Sequence, residues 1–253
     1  MSVQSSSQRR VARLAWAVSP RLWSPARLAD AVALGIWAGL FWYLLPAERS
    51  ALYLSSRTSW VVPLGAVLLT LGAIGRLAGA RSPAPEPLSR RHALGIGVII
   101  VPVIAVLALP PSALGSYAAA RRSSFVGSGY IASPDDVASG ELSLADIAGA
   151  LQSQKGAQAL ARRAGSRVSL VGFVTKESGM PADEFVLTRF LVSCCVADAL
   201  SVQVRVVGAP PGNLKTDQWV RVEGALYPLE NEALVDAAEV VHVDRPVRPY
   251  LNP

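Results

Sequence analysis

Three long apolar runs crowd into the first 110 residues, and they limit the fold more than any other feature of the chain. Leu28 to Leu45 reads LADAVALGIWAGLFWYLL and holds one charge, Asp30, near its start. Trp60 to Leu77 is interrupted only by Arg76, and Ala93 to Leu109 carries no charge before Pro110-Pro111. A helix that crosses a bilayer needs about 20 mostly apolar residues, within about 17–25. The first and third runs meet that length, and the second does so if Arg76 snorkels to the headgroups along its apolar stem. A cleaved signal peptide is a weaker reading of the first run: its basic leader is long, and Pro46-Ala-Glu-Arg lacks a small-x-small site. The expectation is therefore an α-helical membrane half, residues 1–110, with transmembrane helices at about 28–45, 60–77 and 93–109.

Charge sets the expected orientation. Residues 1–110 hold 11 basic and three acidic residues, a net of +8, while the remainder is net −2 from 13 basic and 15 acidic. Arg9, Arg10, Arg13, Arg21 and Arg27 precede the first run, and Arg76, Arg81, Arg90 and Arg91 lie around the second connection. The first connection has only Arg49 and Arg57, with Glu48 against them. The positive-inside rule then predicts a plasma-membrane protein with a cytoplasmic N-terminus and everything after Pro110 outside the cell. Asp30, Arg76 and His92 fall at the ends of runs, where a charge is cheap; nothing mid-membrane marks a transport path.

After Pro110 the composition changes. Residues 111–142 are mostly rich in Ser, Gly, Ala and Pro without hydrophobic period, which reads as a linker. Ser143-Leu-Ala-Asp146 fits a capping box and starts a short helix whose Leu144, Ile147 and Leu151 share a face. From Arg167 the period becomes two, and five strand candidates follow: 167–174, 184–196, 201–207, 218–226 and 234–243. Five short strands predict a small all-β, OB-like barrel domain preceded by that helix, over residues 143–253. The tail RPVRPY is too proline-rich for a sheet interior and should pack as extended chain. Nucleic acid is excluded as a partner, since the domain is net acidic and poor in stacking aromatics. The partner these patterns imply is the lipid bilayer.

The chemistry concentrates in DEFVLTRFLVSCCVAD, residues 183–198, which holds the only two cysteines, Cys194 and Cys195. The plain reading is a structural pair, since free cysteines often serve as small core hydrophobes, although a regular strand sends adjacent side chains to opposite faces and lets only one join the core without a bulge. As a disulfide they would be strained, because adjacent Cα atoms are only about 3.8 Å apart. Cys194, Cys195 and Asp198, joined by His242 of the last strand candidate, form an N/S/O ligand set for zinc or another divalent metal. A thiol-dependent redox factor or enzyme outside the cell is the alternative. No catalytic set emerges: with two histidines in the chain, one beside a membrane run, no Ser-His-Asp or Cys-His arrangement has a supporting context.

The runs GFVTKESGMPADEFVLTRFLVSCCVADA and LKTDQWVRVEGAL, with the final RPVRPY, resemble the YcgQ-type family of uncharacterised bacterial membrane proteins. The resemblance is most specific over residues 167–250, and its motif maps onto Arg189, Phe190, Trp219 and Tyr250 as well as Cys195 to Asp198. Members are typically encoded beside a multi-span permease and described as its second subunit. The resemblance thus implies a plasma-membrane accessory subunit of a transport system, with a permease subunit as partner and no established activity. It also implies that His can stand at the position of Cys194, an exchange that suits a metal ligand better than a core filler.

Overall fold

The computed structural model describes residues 22–109, 112–121, 131–210, 214–229 and 232–252. Arg9, Arg10, Arg13 and Arg21, on which part of the orientation reading rests, lie outside these residues, as do Pro110 and Pro111. The chain divides into two compact units: Met1–Pro46 with Trp60–Pro111, and Ala47–Ser59 with Ser112–Pro253. The connection between the first two apolar runs therefore belongs to the second unit.

The first unit holds three helices, α1 (Pro25–Leu44), α2 (Val61–Ala78) and α3 (Arg90–Ala108), each within three residues of its expected bounds. Their ends follow local chemistry. Pro25 supplies a fixed φ at the first helical position of α1, and the Ser89 hydroxyl accepts the His92 N–H to cap α3. Gly65 has no side chain to obstruct the Phe41 ring, so α1 and α2 approach closely there. A Cβ added at Gly35, Gly39, Gly95 or Gly97 would meet no described atom within 4 Å, so a side chain there would fit without obstruction.

These helices bury little of themselves. On α3 alone Leu94, Val98, Ile99, Val101, Ile104 and Leu107 are exposed. At about 1.5–3 kcal/mol for each such side chain left in water, the cost would rival a whole domain's stability of about 5–15 kcal/mol. An apolar medium must cover them, and all three helices are long and apolar enough to cross a membrane. At one end their few charges converge: the Asp30 carboxylate meets His92 Nε2 at 2.7 Å and an Arg76 guanidinium nitrogen at 3.2 Å. Each helix contributes one member, so the cluster ties together the three residues that the sequence put at the ends of the apolar runs.

In the second unit, five strands close a barrel: β1 (Arg167–Thr175), β2 (Phe185–Leu191), β3 (Leu200–Val207), β4 (Trp219–Pro228) and β5 (Ala233–His242). The order is β1-β2-β3-β5-β4, with β4 returning to β1 and all pairs antiparallel except β3 with β5. This is the OB-like architecture expected. Its core follows the period of two: Val202, Val204 and Val206 are buried, while Gln203 is exposed and Arg205 pairs with Glu184.

Two short helices, α4 (Leu144–Ala150) and α5 (Gln154–Ala161), add Leu144, Ile147 and Leu160 to the same core. The capping box of α4 is formed, with the Asp146 N–H donating to Ser143 Oγ and the Ser143 N–H donating to Asp146 Oδ2. The segment read as a linker is only partly one. Ala132, Val137 and Leu142 are buried in the core, and the Arg163 guanidinium donates to the carbonyls of Val137 and Gly140. Residues 122–130 of it lie outside the described residues. Ser/Gly/Ala composition hid these contacts because the apolar residues that make them are too sparse to show a period.

Candidate functional site

The strand candidate 184–196 runs five residues past the strand's end: β2 stops at Leu191, and the cysteines stand on a turn. The reason is Asp198. Its Oδ1 accepts the Ser193 N–H at 3.0 Å, and its Oδ2 accepts those of Cys194 at 2.8 Å and Cys195 at 3.4 Å. A carboxylate that satisfies three successive donors replaces the ladder a neighbouring strand would have supplied. Strand alternation no longer applies, and the sulfurs lie 3.7 Å apart.

The other side of the turn is held by the connection between α1 and α2. The Cys194 carbonyl accepts the Ser55 N–H at 3.1 Å and the Thr58 hydroxyl at 2.6 Å. The Val196 N–H donates to the Tyr53 carbonyl at 2.9 Å, and Leu54 forms a bridge with Cys195. The Cys195 carbonyl accepts the Asp198 N–H at 3.0 Å. Every main-chain polar group of the two cysteines is therefore engaged, and the thiols project from a backbone fixed on both sides. Nothing in the sequence pointed to Ser55 or Thr58, which lie in a polar connection about as far from the cysteines as the chain allows within this unit.

The motif residues form the floor of this turn. Phe190 is buried and stacks on Phe173 at 5.9 Å between ring centroids, and Trp219 meets Phe173 edge-on at 5.8 Å. They share a small core with Val192, Ala199 and Tyr250, which flank or approach the cysteines. Arg189 lies over the Trp219 ring and donates to the carbonyls of Pro249 and Arg248. Burial lowers its pKa from the ordinary arginine value. The tail then runs beside the end of β2, with the Leu251 N–H donating to Phe190 and the Val192 N–H donating to Leu251. The Tyr250 hydroxyl accepts the Leu114 N–H and donates to the Leu52 carbonyl, joining the tail to the α1–α2 connection. Arg189, Phe190, Trp219 and Tyr250 are thus supports and not ligands.

Of the four expected ligands, the structure brings three together. One ligand atom each from Cys194, Cys195 and Asp198 fall within 4.8 Å of one another. His242 is not in this group: it is exposed at the end of β5 and paired with Val220 of β4. Either β3 or the pair β4 and β1 stands between β5 and β2, so a histidine there has a different neighbourhood from the turn. The 3.7 Å sulfur separation suits a shared ion. Two thiolates at about 2.3 Å from a tetrahedral metal lie about 3.8 Å apart.

Electrostatics keep the thiol protonated. The hydrogen bond to Asp198, then that to Cys195, pushes the Cys194 thiol from 9.0 up to about 11. For Asp198, partial burial alone would raise the carboxyl, but hydrogen bonds from the Cys194 thiol and the three N–H groups outweigh it and lower the pKa. At neutral pH the turn therefore sets a protonated Cys194 thiol beside the Asp198 carboxylate.

Fold and site together define an OB-like barrel carrying an exposed dithiol–carboxylate turn, in a chain with helices long enough to cross a membrane. Residues 156–253, which include the barrel and the turn, match the DUF1980 C-terminal domain. No curated protein matches the chain.

Proposed function

We propose that this chain is a membrane-anchored accessory subunit of a transport system whose barrel binds a thiophilic metal ion as cargo, outside the plasma membrane. The observation that carries the reading is the clustering of two thiols and a carboxylate on a turn whose backbone is held from both sides. Donors arranged in advance cost little ordering on binding. A structural zinc site has four protein ligands. Here three donors leave a coordination position open, which suits capture and hand-over to a partner better than permanent retention.

Metal binding displaces the thiol protons, so affinity rises with pH. The redox alternative is less well supported by the same geometry. A thiol raised to about 11 has little thiolate at neutral pH, whereas catalytic thiols are shifted the other way. The permease partner is supported by the sequence resemblance and by the anchored layout.

The test is cadmium and zinc titration of the full chain in detergent, followed by sulfur-to-cadmium charge-transfer absorption and by metal retained after dialysis. About one ion per chain is expected for the native protein, with loss in Cys194→Ser and in Cys195→Ser. Absence of any retained or spectroscopically detected ion sinks the cargo reading. Co-purification from native membranes addresses the partner: a multi-span protein should accompany the chain, and its consistent absence sinks the subunit reading.

A further inference from the structure

The thiols stand side by side, where oxidation would be expected to join them, and the fold opposes this. A disulfide between adjacent residues closes a ring that contains their own peptide bond. The sulfurs would move from 3.7 Å to about 2.05 Å, between Cα atoms about 3.8 Å apart, against about 4.4–6.8 Å in ordinary disulfides. Closure therefore demands that the peptide leave its planar trans form, at substantial cost. As it turns, its carbonyl and N–H must change direction.

Those are the two groups the structure holds. The carbonyl of the Cys194–Cys195 peptide is the acceptor for Ser55 N–H and Thr58 Oγ1, and its N–H is the donor to Asp198. Ser55 is itself anchored, since its hydroxyl donates to Asn252 Oδ1 at 2.8 Å and the Ser56 N–H donates to the same oxygen. Thr58 Oγ1 also lies 3.3 Å from the Ser55 carbonyl, a longer contact than the 2.6 Å to Cys194. We infer that Ser55 and Thr58 are positioning residues that keep Cys194 and Cys195 as a dithiol, by clamping the peptide that a vicinal disulfide would have to twist. The inference stands whether or not a metal uses the pair. It explains how adjacent thiols on an exposed turn persist as ligands-in-waiting instead of closing on each other.

The experiment uses the full chain in detergent, reduced and metal-free, treated with diamide. This azo compound takes two electrons and two protons from the thiols; the Sγ–Sγ bond forms and the N=N bond becomes a hydrazine. Ring closure is followed by loss of two hydrogens in the peptide that spans both cysteines. Thr58→Val removes the hydroxyl and keeps the shape of a half-exposed side chain. Loss of one net hydrogen bond should speed closure about two- to tenfold. Thr58→Ser, which restores the hydroxyl, should behave as native, and so should Ser59→Ala, whose hydroxyl donates to the Ser56 carbonyl.

Iodoacetamide alkylation needs a thiolate and access but no ring, so its rate should be the same in native protein and Thr58→Val. Equal closure rates in native and Thr58→Val overturn the inference. So does faster closure matched by equally faster alkylation, because exposure of the thiols would then account for it. The native protein alone offers a second reading: after oxidation the Ser55 amide should exchange with deuterium faster, and unchanged protection overturns the clamp. Metal retention is measured on separate samples, so loss of the cargo reading and loss of the clamp are distinguishable.

Discussion

Asp198 does two things at once, and a single substitution separates them from the thiols it serves. Its carboxylate ends the strand by taking three N–H groups, and it holds the Cys194 proton in place. Replacing it with Asn keeps an acceptor but removes the charge. The pH midpoint for iodoacetamide alkylation of Cys194 should fall from about 11 toward the ordinary 9.0 in Asp198→Asn, measured by peptide mass spectrometry across pH. An unmoved midpoint would show that the carboxylate does not set the thiol. The sign for stability follows from the same shift. A raised thiol pKa favours the folded state below 9.0, and that contribution is lost as pH rises through about 11. The ligand trio was legible in the sequence because Asp198 follows Cys195 by three positions, a spacing a single turn can close. Strand alternation misled, since no periodicity reports where a side chain takes over the ladder. His242 shows the limit: membership in the last strand was readable, but its distance from the turn depends on barrel closure.

At the scale of elements, the barrel was readable from period-two runs and the helices from apolar length, since both patterns are repeated many times within each element. The tail was readable only in part. Its prolines exclude a sheet interior, yet they do not say that Leu251 pairs with the end of β2 or that Tyr250 reaches the α1–α2 connection. Tyr250 is buried, and its hydroxyl links three segments that are far apart in sequence, through Leu52 and Leu114. Tyr250→Phe keeps the ring and leaves the Leu52 carbonyl and the Leu114 N–H without this partner. Losing these two hydrogen bonds costs about 1–3 kcal/mol in all. Urea unfolding of the full chain in detergent, followed by Trp fluorescence, should show the barrel destabilised by that amount. A change within error would mean that water replaces the hydroxyl and that the tail is not pinned there. Metal retention in the same variant should weaken as well, because the connection that clamps Cys194 is anchored through this residue.

For the whole molecule, one fact about the chain path constrains how it lies in a membrane. Ala47–Ser59 and the barrel belong to one compact unit, and α2 and α3 are the helices that separate them along the chain. Two segments on the same side of a bilayer must be joined by an even number of crossings. If either α2 or α3 spans, then both do, and the segment between them faces the opposite side. The basic residues add the direction: Arg76, Arg81, Arg90 and Arg91 gather around that segment, against Arg49 and Arg57 in the first connection. Orientation is therefore testable with three labels. In intact cells a membrane-impermeant maleimide should modify the native cysteines, and in a Cys194→Ser, Cys195→Ser background it should modify Arg57→Cys. Ala84→Cys should react only after the membrane is permeabilised. Labelling of Arg57→Cys without Ala84→Cys fits a pair of crossings with the barrel outside, and the reverse pattern would put the barrel in the cytoplasm and end the extracytoplasmic reading. Labelling of both from one side would mean that α2 and α3 do not cross, and the large exposed apolar faces of these helices would then need a protein cover in place of lipid.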